Sequence, residues 1–249
     1  MRLNFINIWG NYVSKAIPGK LFYPLPTGKV HDNIFAICDR NDTNFFVYTN
    51  GKNYICFDVG YINNNYVKDD FRKIGIDPKS ISHVFLTHTD MDHAGAVDKD
   101  SKSNWLKPGV HIYMGRIEEN LIRKRQRRRF LFYTPIEIEK EYHLLDDNDV
   151  IVVGDIKVKA IHTPGHTCGH QAYLVDGKYL FAGDLLLLKD EKATAFYKIW
   201  NMDHEQDKQS IRKIAQLKDV ELMCTCHSKC TFDFKTTMAD WVEKLNKDK

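Results

Sequence analysis

The sequence predicts a single α/β domain spanning residues 1–249. Three observations carry this expectation. β-rich runs and helical stretches alternate along the chain, with no Pro/Gly/Ser linker, low-complexity tract or short repeat between them. The 43% hydrophobic and 28% charged fractions belong to a chain that buries a sizeable core. Polar residues of metal-ligand type recur where an apolar strand meets a loop, the place where α/β sheets carry their functional groups.

Ile34-Phe35-Ala36-Ile37 and Phe45-Phe46-Val47-Tyr48 are β-rich, Asn50-Gly51 is a hairpin signal, and Tyr54-Ile55-Cys56-Phe57 follows, ending in Asp58-Val59-Gly60. Tyr66 to Ile74 reads as a short helix stopped at Gly75, with Pro78 beyond it. His83 to Thr87 is a strand that runs into HTDMDH. Val110 to Met114 is the next strand, and Ile117 to Arg129 a strongly basic helix. In the second half, strands are expected over 150–153, 156–161, 172–175 and 179–181, with turns at Gly154-Asp155 and Asp176-Gly177. His204 to Leu217 is expected as a helix, Leu222 to Thr225 as a strand, and Thr236 to Leu245 as a closing helix.

The net charge of +3 is not that of a polycation, so no nucleic-acid partner is expected. No apolar run approaches the roughly 18 residues needed to span a bilayer, and LLLL at 185–188 falls far short, so no membrane association is expected either. The start MRLNFINIWGNYVSK lacks the pattern of a signal peptide, and six cysteines are too few for a disulfide scaffold. Cytoplasmic location with reduced thiols is the expectation, as a monomer or homodimer acting on a small molecule.

HTDMDH packs His88, Asp90, Asp92 and His93 into one strand end. Taken alone, it reads as a metal-binding corner ahead of a polar loop whose aspartates cap the following turn. If the chain stays extended, positions 88, 90 and 92 converge on one side and His93 faces a neighbouring point, so that two cations can share these ligands. TPGHTCGH at 163–170, Asp184 in FAGD and His227 after Cys224-Thr225-Cys226 each repeat the strand-end placement.

This order, HxDxDH where the family has HxHxDH, then TPGHT, then a GD aspartate, then a last histidine, resembles the signature of the metallo-β-lactamase superfamily. Asp58-Val59-Gly60, Thr87 and Gly95 also look like that pattern, and the likeness covers roughly residues 30 to 230. It implies a four-layer αββα sandwich, with two mixed β-sheets flanked by helices. It implies two divalent ions, zinc first, with iron or manganese as options. His88, Asp90 and His166 would hold one ion, Asp92, His93 and His227 the other, and Asp184 would bridge them. A hydroxide shared by ions roughly 3.5 to 4 Å apart would attack the substrate. Asp92 would steer it or pass a proton to the leaving group. Asp58 would orient a ligand from behind, or simply cap the turn at Gly60.

The family's second histidine is Asp90 here. Two divalent ions bring four positive charges, and Asp90, Asp92, Asp184 and a hydroxide bring four negative ones. The cluster therefore loses the net positive charge that a histidine would leave. A harder ligand set shifts preference toward iron or manganese; the alternative, since aspartate is short, is a site that binds weakly and fills last. The superfamily's di-iron flavoproteins carry a glutamate at the matching position, so a di-iron redox or oxygen-binding protein is the alternative, although the chain ends at Lys249 without their flavodoxin-like domain. TPGHTCGHQ is similar to the lactonase and glyoxalase II branches, which cleave lactones and thioesters. Leu187 replaces the tyrosine of the lactonases, and Asp184 stands where some β-lactamases use cysteine. The 42 residues between Asp184 and His227 leave no room for the insertion of the nucleic-acid-processing branch. Hydrolysis of a small ester, thioester or lactone is the expected activity. A non-catalytic binding member is the third reading.

The run 123–129 is expected as a solvated helix face, or else a basic rim gathering anionic substrates. Phe130, Phe132 and Tyr133 read as core before lid. Cys224, Cys226 and Cys230 suggest a structural zinc only if His227 is not in the dinuclear site. Cys168 is a candidate reactive thiol, and His170, His204 and Tyr197 are candidate pocket groups.

Overall fold

In a computed structural model of the chain, the described residues are 21–39, 43–128 and 136–247. Phe130, Phe132 and Tyr133 lie outside them, as does Arg129. The first sheet has seven strands, β1 (Gly28–His31), β2 (Ile34–Asp39), β3 (Thr43–Thr49), β4 (Tyr54–Phe57), β5 (Ile81–Phe85), β6 (His111–Gly115) and β7 (His143–Leu145), in sequence order. β1 to β4 pair antiparallel, and β4 to β7 pair parallel. The second sheet contains β8 (Val150–Val153), β9 (Ile156–His162), β10 (Gln171–Val175) and β11 (Tyr179–Phe181). After the hairpin of β12 (Leu186–Lys189) and β13 (Lys192–Ala195) it is completed by β14 (Leu222–Cys224) and β15 (Cys230–Thr231), in the order β15-β14-β11-β10-β9-β8. Only β11 and β14 pair parallel in it.

The layering follows from period-two alternation. Ile34, Ala36, Phe46, Tyr48, Ile55, Phe57 and Phe85 face inward from the first sheet. They meet Val158, Ala160, Tyr173, Val175, Phe181 and Cys224 of the second. The residues between them, Ile37, Phe45, Val47, Cys56 and Val84, face the other way and pack on Val67 and Phe71 of α1 (Val67–Lys73) and on Trp105. On the far side, Ala172, Leu174, Leu180 and Met223 pack on Ile211 and Ile214 of α3 (His204–Ile214). They also meet Phe234 of α4 (Phe234–Thr237) and Trp241 of α5 (Ala239–Lys247). Three apolar interfaces separate four layers, which is the expected αββα sandwich of two mixed sheets flanked by helices.

The structure corrects several boundaries. The basic helix expected over 117–129 is one 3-10 turn and α2 (Glu119–Ile122), because the chain leaves the helix at Lys124 with φ +57°. Leu186–Leu188 of LLLL lie in β12, a strand not expected from the sequence, and Leu187 is buried there. The closing helix is broken into α4 and α5 at Met238. HTDMDH does not stay extended. His93 and Ala94 donate backbone hydrogen bonds to the carbonyl of Asp90, so the chain turns at Met91. That turn groups Asp92 and His93 with His227, while His88 and Asp90 meet His166, and the His88 and His93 ring centroids stay 4.1 Å apart.

Candidate metal centre

The carboxyl ends of β4, β5, β11 and β14 meet at one rim of the sandwich, and loops from both sheets project their polar residues there. Four imidazoles enter the rim in the same way. Thr87 Oγ1 donates to Asp58 Oδ2 at 2.8 Å, so its lone pair accepts from His88 Nδ1 at 3.0 Å. His93 Nδ1 donates to Asp58 Oδ2 at 2.9 Å, and His166 Nδ1 to Asn201 Oδ1 at 3.0 Å. Thr43 Oγ1 donates to Asp92 Oδ2 at 3.0 Å and faces His227 Nδ1 at 3.5 Å. Each ring is held by Nδ1, and each turns Nε2 into the pocket. Metal-ligating histidines have this arrangement.

The Nε2 atoms meet three carboxylates. Asp90 Oδ2 lies 3.5 Å from His88 Nε2 and 3.3 Å from His166 Nε2. Asp92 Oδ2 lies 3.6 Å from His93 Nε2 and 3.3 Å from His227 Nε2. Asp184 faces both groups, with Oδ2 at 3.6 Å from His166 and 3.2 Å from His227, and Oδ1 at 3.3 Å from His93. Four ligands at 2.0–2.1 Å around a tetrahedral ion stand about 3.3 Å apart, so these spacings fit a cation of that size. His88 Nε2, His93 Nε2, Asp90 Oδ1 and Asp184 Oδ1 are buried with no hydrogen bond, a costly arrangement unless a cation answers them. The donor set therefore fits two divalent ions. His88–Asp90–His166 and Asp92–His93–His227 each form a compact ligand group, as does His88–His93–Asp184.

Charge is tightly balanced here. Burial alone would raise the Asp92 carboxyl, but His93 and His227 hold it at about 2. Burial would lower the His227 imidazole, yet Asp184 and Asp92 lift it to about 10. Burial and the Arg128 charge together press His166 down to about 4, against the pull of Asp90. Asp90 is held well below the carboxylate range, since Arg128 and His88 outweigh its burial.

Asp58 is more than a turn cap. Besides His93 and Thr87 Oγ1 it accepts from the Thr87 backbone N–H at 2.7 Å, and from the Cys226 thiol at 3.5 Å. Its own backbone sits at φ +62°, which aims the carboxylate beneath the rim. Glu118, Asn201 and Thr43, which no sequence motif marks, and Arg128 of the basic run complete the site. Glu118, fully buried, accepts from Thr89 N–H and Oγ1 and from Thr167 Oγ1 and Gly169 N–H, at 2.7–3.1 Å, clamping the two ligand loops together. Asn201 and Thr43 fix His166 and His227. Arg128 sits on Asp90. The first three lie in no recognisable motif, and for Arg128 the run suggests a rim but not the contact with Asp90; only the loop-to-loop contacts reveal these roles.

Other candidates fall outside the ligand set. His170 is buried, held by Thr163 Oγ1 at 2.8 Å, and accepts the Asp184 backbone N–H at 3.2 Å, so it positions Asp184. Tyr197 donates to the Leu21 carbonyl, and His204 pairs with Asn201 at the start of α3. The Cys168 thiol is pushed up to about 12 by burial and by Glu118, which removes it as a reactive thiolate. Cys224 is registered against Cys230 in the sheet, and all six cysteines are free. Residues 123–127 are exposed as expected of a solvated face, but Arg128 turns inward. Beside the rim, Phe22 lies tilted over His227 with centroids 4.2 Å apart, Phe196 lies edge-on to His166 at 4.8 Å, and Trp200 closes the cluster.

Residues 39–227 match the family described as the metallo-beta-lactamase superfamily. The chain is 31% identical over 146 residues to a hydroxyacylglutathione hydrolase of Salmonella paratyphi A, covering 58% of this chain and 47% of that enzyme. It is 30% identical over 114 residues to a cytoplasmic hydroxyacylglutathione hydrolase of Arabidopsis thaliana, covering 43% of this chain and 36% of that one. The chain thus spans about half or less of the curated relatives it matches. Among solved structures it is similar to a subclass B3 metallo-beta-lactamase from a soil metagenome, MEM-A1, with a TM-score of 0.66 and 17% identity over 92% of this chain and 97% of that one. A B3 metallo-beta-lactamase with an active-site glutamic acid gives a TM-score of 0.62 at 16% identity, covering 92% and 91%.

Proposed function

The chain belongs to the metallo-β-lactamase superfamily, and from that membership we propose a dinuclear metal-dependent hydrolase that cleaves a small ester, thioester or lactone. One observation carries the reading. Four imidazoles, each anchored through Nδ1, converge with three carboxylates at tetrahedral spacing, and Asp184 faces both halves. His88, Asp90 and His166 would hold one divalent ion, and Asp92, His93 and His227 the other. Zinc suits the imidazole-rich half, while the added carboxylate at Asp90 also admits iron or manganese. When bound, such a pair lowers the pKa of water and polarises a carbonyl.

The protein's own groups supply the rest. Asp92 is the most open of the seven, its side chain 24% exposed, and it hands a proton between attacking water and leaving group. Asp58 keeps His93 in one tautomer, and His170 keeps the Asp184 backbone in place. Phe22, Phe196 and Trp200 offer an apolar wall to the acyl portion and exclude water from it. The likeness to hydroxyacylglutathione hydrolases favours thioesters among the three substrate classes. Six free thiols are consistent with work in a reducing compartment.

The test is metal content together with turnover of a simple aryl ester, an S-acyl glutathione and a γ-lactone, before and after chelation. About two ions per chain and chelator-sensitive cleavage of one class are expected. Full turnover by metal-free protein would overturn the reading. So would bound iron that responds to oxygen in a protein that cleaves none of the three.

A further inference from the structure

Arg128 is the last described residue of the basic run, and its side chain is only 6% exposed. Its Nη2 lies 2.6 Å from Asp90 Oδ2 and 3.3 Å from His166 Nε2, and its Nη1 donates to the His166 carbonyl. Asp90 Oδ2 is also the oxygen that faces His88 Nε2 and His166 Nε2. Since His166 commits Nδ1 to Asn201, its Nε2 presents a lone pair, and the guanidinium takes it. One internal cation thus engages two of the three donor atoms in the His88–Asp90–His166 group.

The charge count gives this contact a purpose. Aspartate in place of the family's second histidine adds one negative charge, and Arg128 adds one positive charge that no accessible pH removes. The guanidinium and an ion need the same lone pairs, and two cations cannot share them. We propose that Arg128 is the resident cation of the Asp90 site. It holds these donors until an ion displaces it, so the Asp92–His93–His227 site loads first and the Asp90 site second and more weakly. This inference rests on the dinuclear reading above. Whatever free energy binds Arg128 to Asp90 is lost from the affinity of the incoming ion, and the linkage is reciprocal.

Metal-depleted wild type, Arg128→Gln and Arg128→Ala are titrated with Co²⁺ followed by visible absorption, and with Zn²⁺ against a chromogenic chelator. Arg123→Ala, on the exposed part of the same run, is the control. Wild type is expected to show one tight and one weak site. Both Arg128 variants are expected to tighten the weak site about tenfold or more, with the tight site and Arg123→Ala unchanged. The tight site, whose donors Arg128 does not touch, reports that each variant is folded. Two equal sites in wild type, or a weak site unmoved or further weakened in both Arg128 variants, would overturn the gate and leave the dinuclear reading intact. A single site in wild type and in both variants would overturn the dinuclear reading, and the gate with it.

Discussion

Asp58 shows how much one buried carboxylate does at this rim, since it accepts from a backbone N–H, a hydroxyl, an imidazole and a thiol. Asp58→Asn keeps the shape and loses the charge that orients His93. We expect metal affinity to fall about 10- to 100-fold, measured by chelator competition, with the secondary structure unchanged. Asp207 is the opposite case. Burial pushes its carboxyl up to about 8, against the nearby Asn201, and neither oxygen has a well-formed hydrogen bond. Between about pH 4 and pH 8 the unfolded chain loses this proton and the folded chain keeps it, so stability falls as pH rises through that window, by at most roughly 1.4 kcal/mol per pH unit. Asp207→Asn should therefore raise the thermal midpoint at pH 8 and leave it nearly unmoved at pH 4. At this scale the seven ligand-type side chains were legible because their strand-end spacing is written in the sequence. Arg128, Glu118 and Asn201 were not, because each acts across a loop contact that no local pattern encodes.

Strands were read more safely than helices. Runs such as Phe45-Phe46-Val47-Tyr48 show β-rich composition directly, and in the fold they feed opposite interfaces. The basic run looked helical by composition, but Lys124 adopts a left-handed conformation and the chain breaks off toward the rim. There a tertiary contact overrides propensity. β1, β7, β12, β13 and β15 were not expected from the sequence, being strands of two to four residues that no flanking turn signal singled out. The two ligand loops are joined by Glu118, which leads to a sharp expectation. Glu118→Ala strands four donors from two loops and should cost about 3 kcal/mol or more in chemical denaturation, while also loosening metal binding. Gly183 is equally constrained. It sits at φ +56°, and an added Cβ would come within 2.6 Å of His170 Nε2, so Gly183→Ala should shift Asp184 and lower metal affinity without changing the core.

The whole molecule is two sheets whose carboxyl ends supply one set of donors. His88, Asp90, Asp92 and His93 come from the first sheet's loops, and His166, Asp184 and His227 from the second's. On the proposed dinuclear reading, ions there would tie the sheets together and favour the folded chain. At a thousandfold excess over Kd this stabilises by about 4 kcal/mol, which in a chain of this size raises the thermal midpoint by about 8–16 °C. Chelation should reverse the rise in a scanning measurement. The αββα layering was legible once the family likeness was recognised, whereas composition and alternation alone reached only an α/β domain. Beneath the rim, Phe57 and Phe181 stack face to face across the two sheets with centroids 3.9 Å apart. Those rings act as a spacer gauge. Trimming Phe181 to leucine would let the walls settle inward, so hydrocarbon beneath the rim helps to set how far apart the two sheets hold their polar loops.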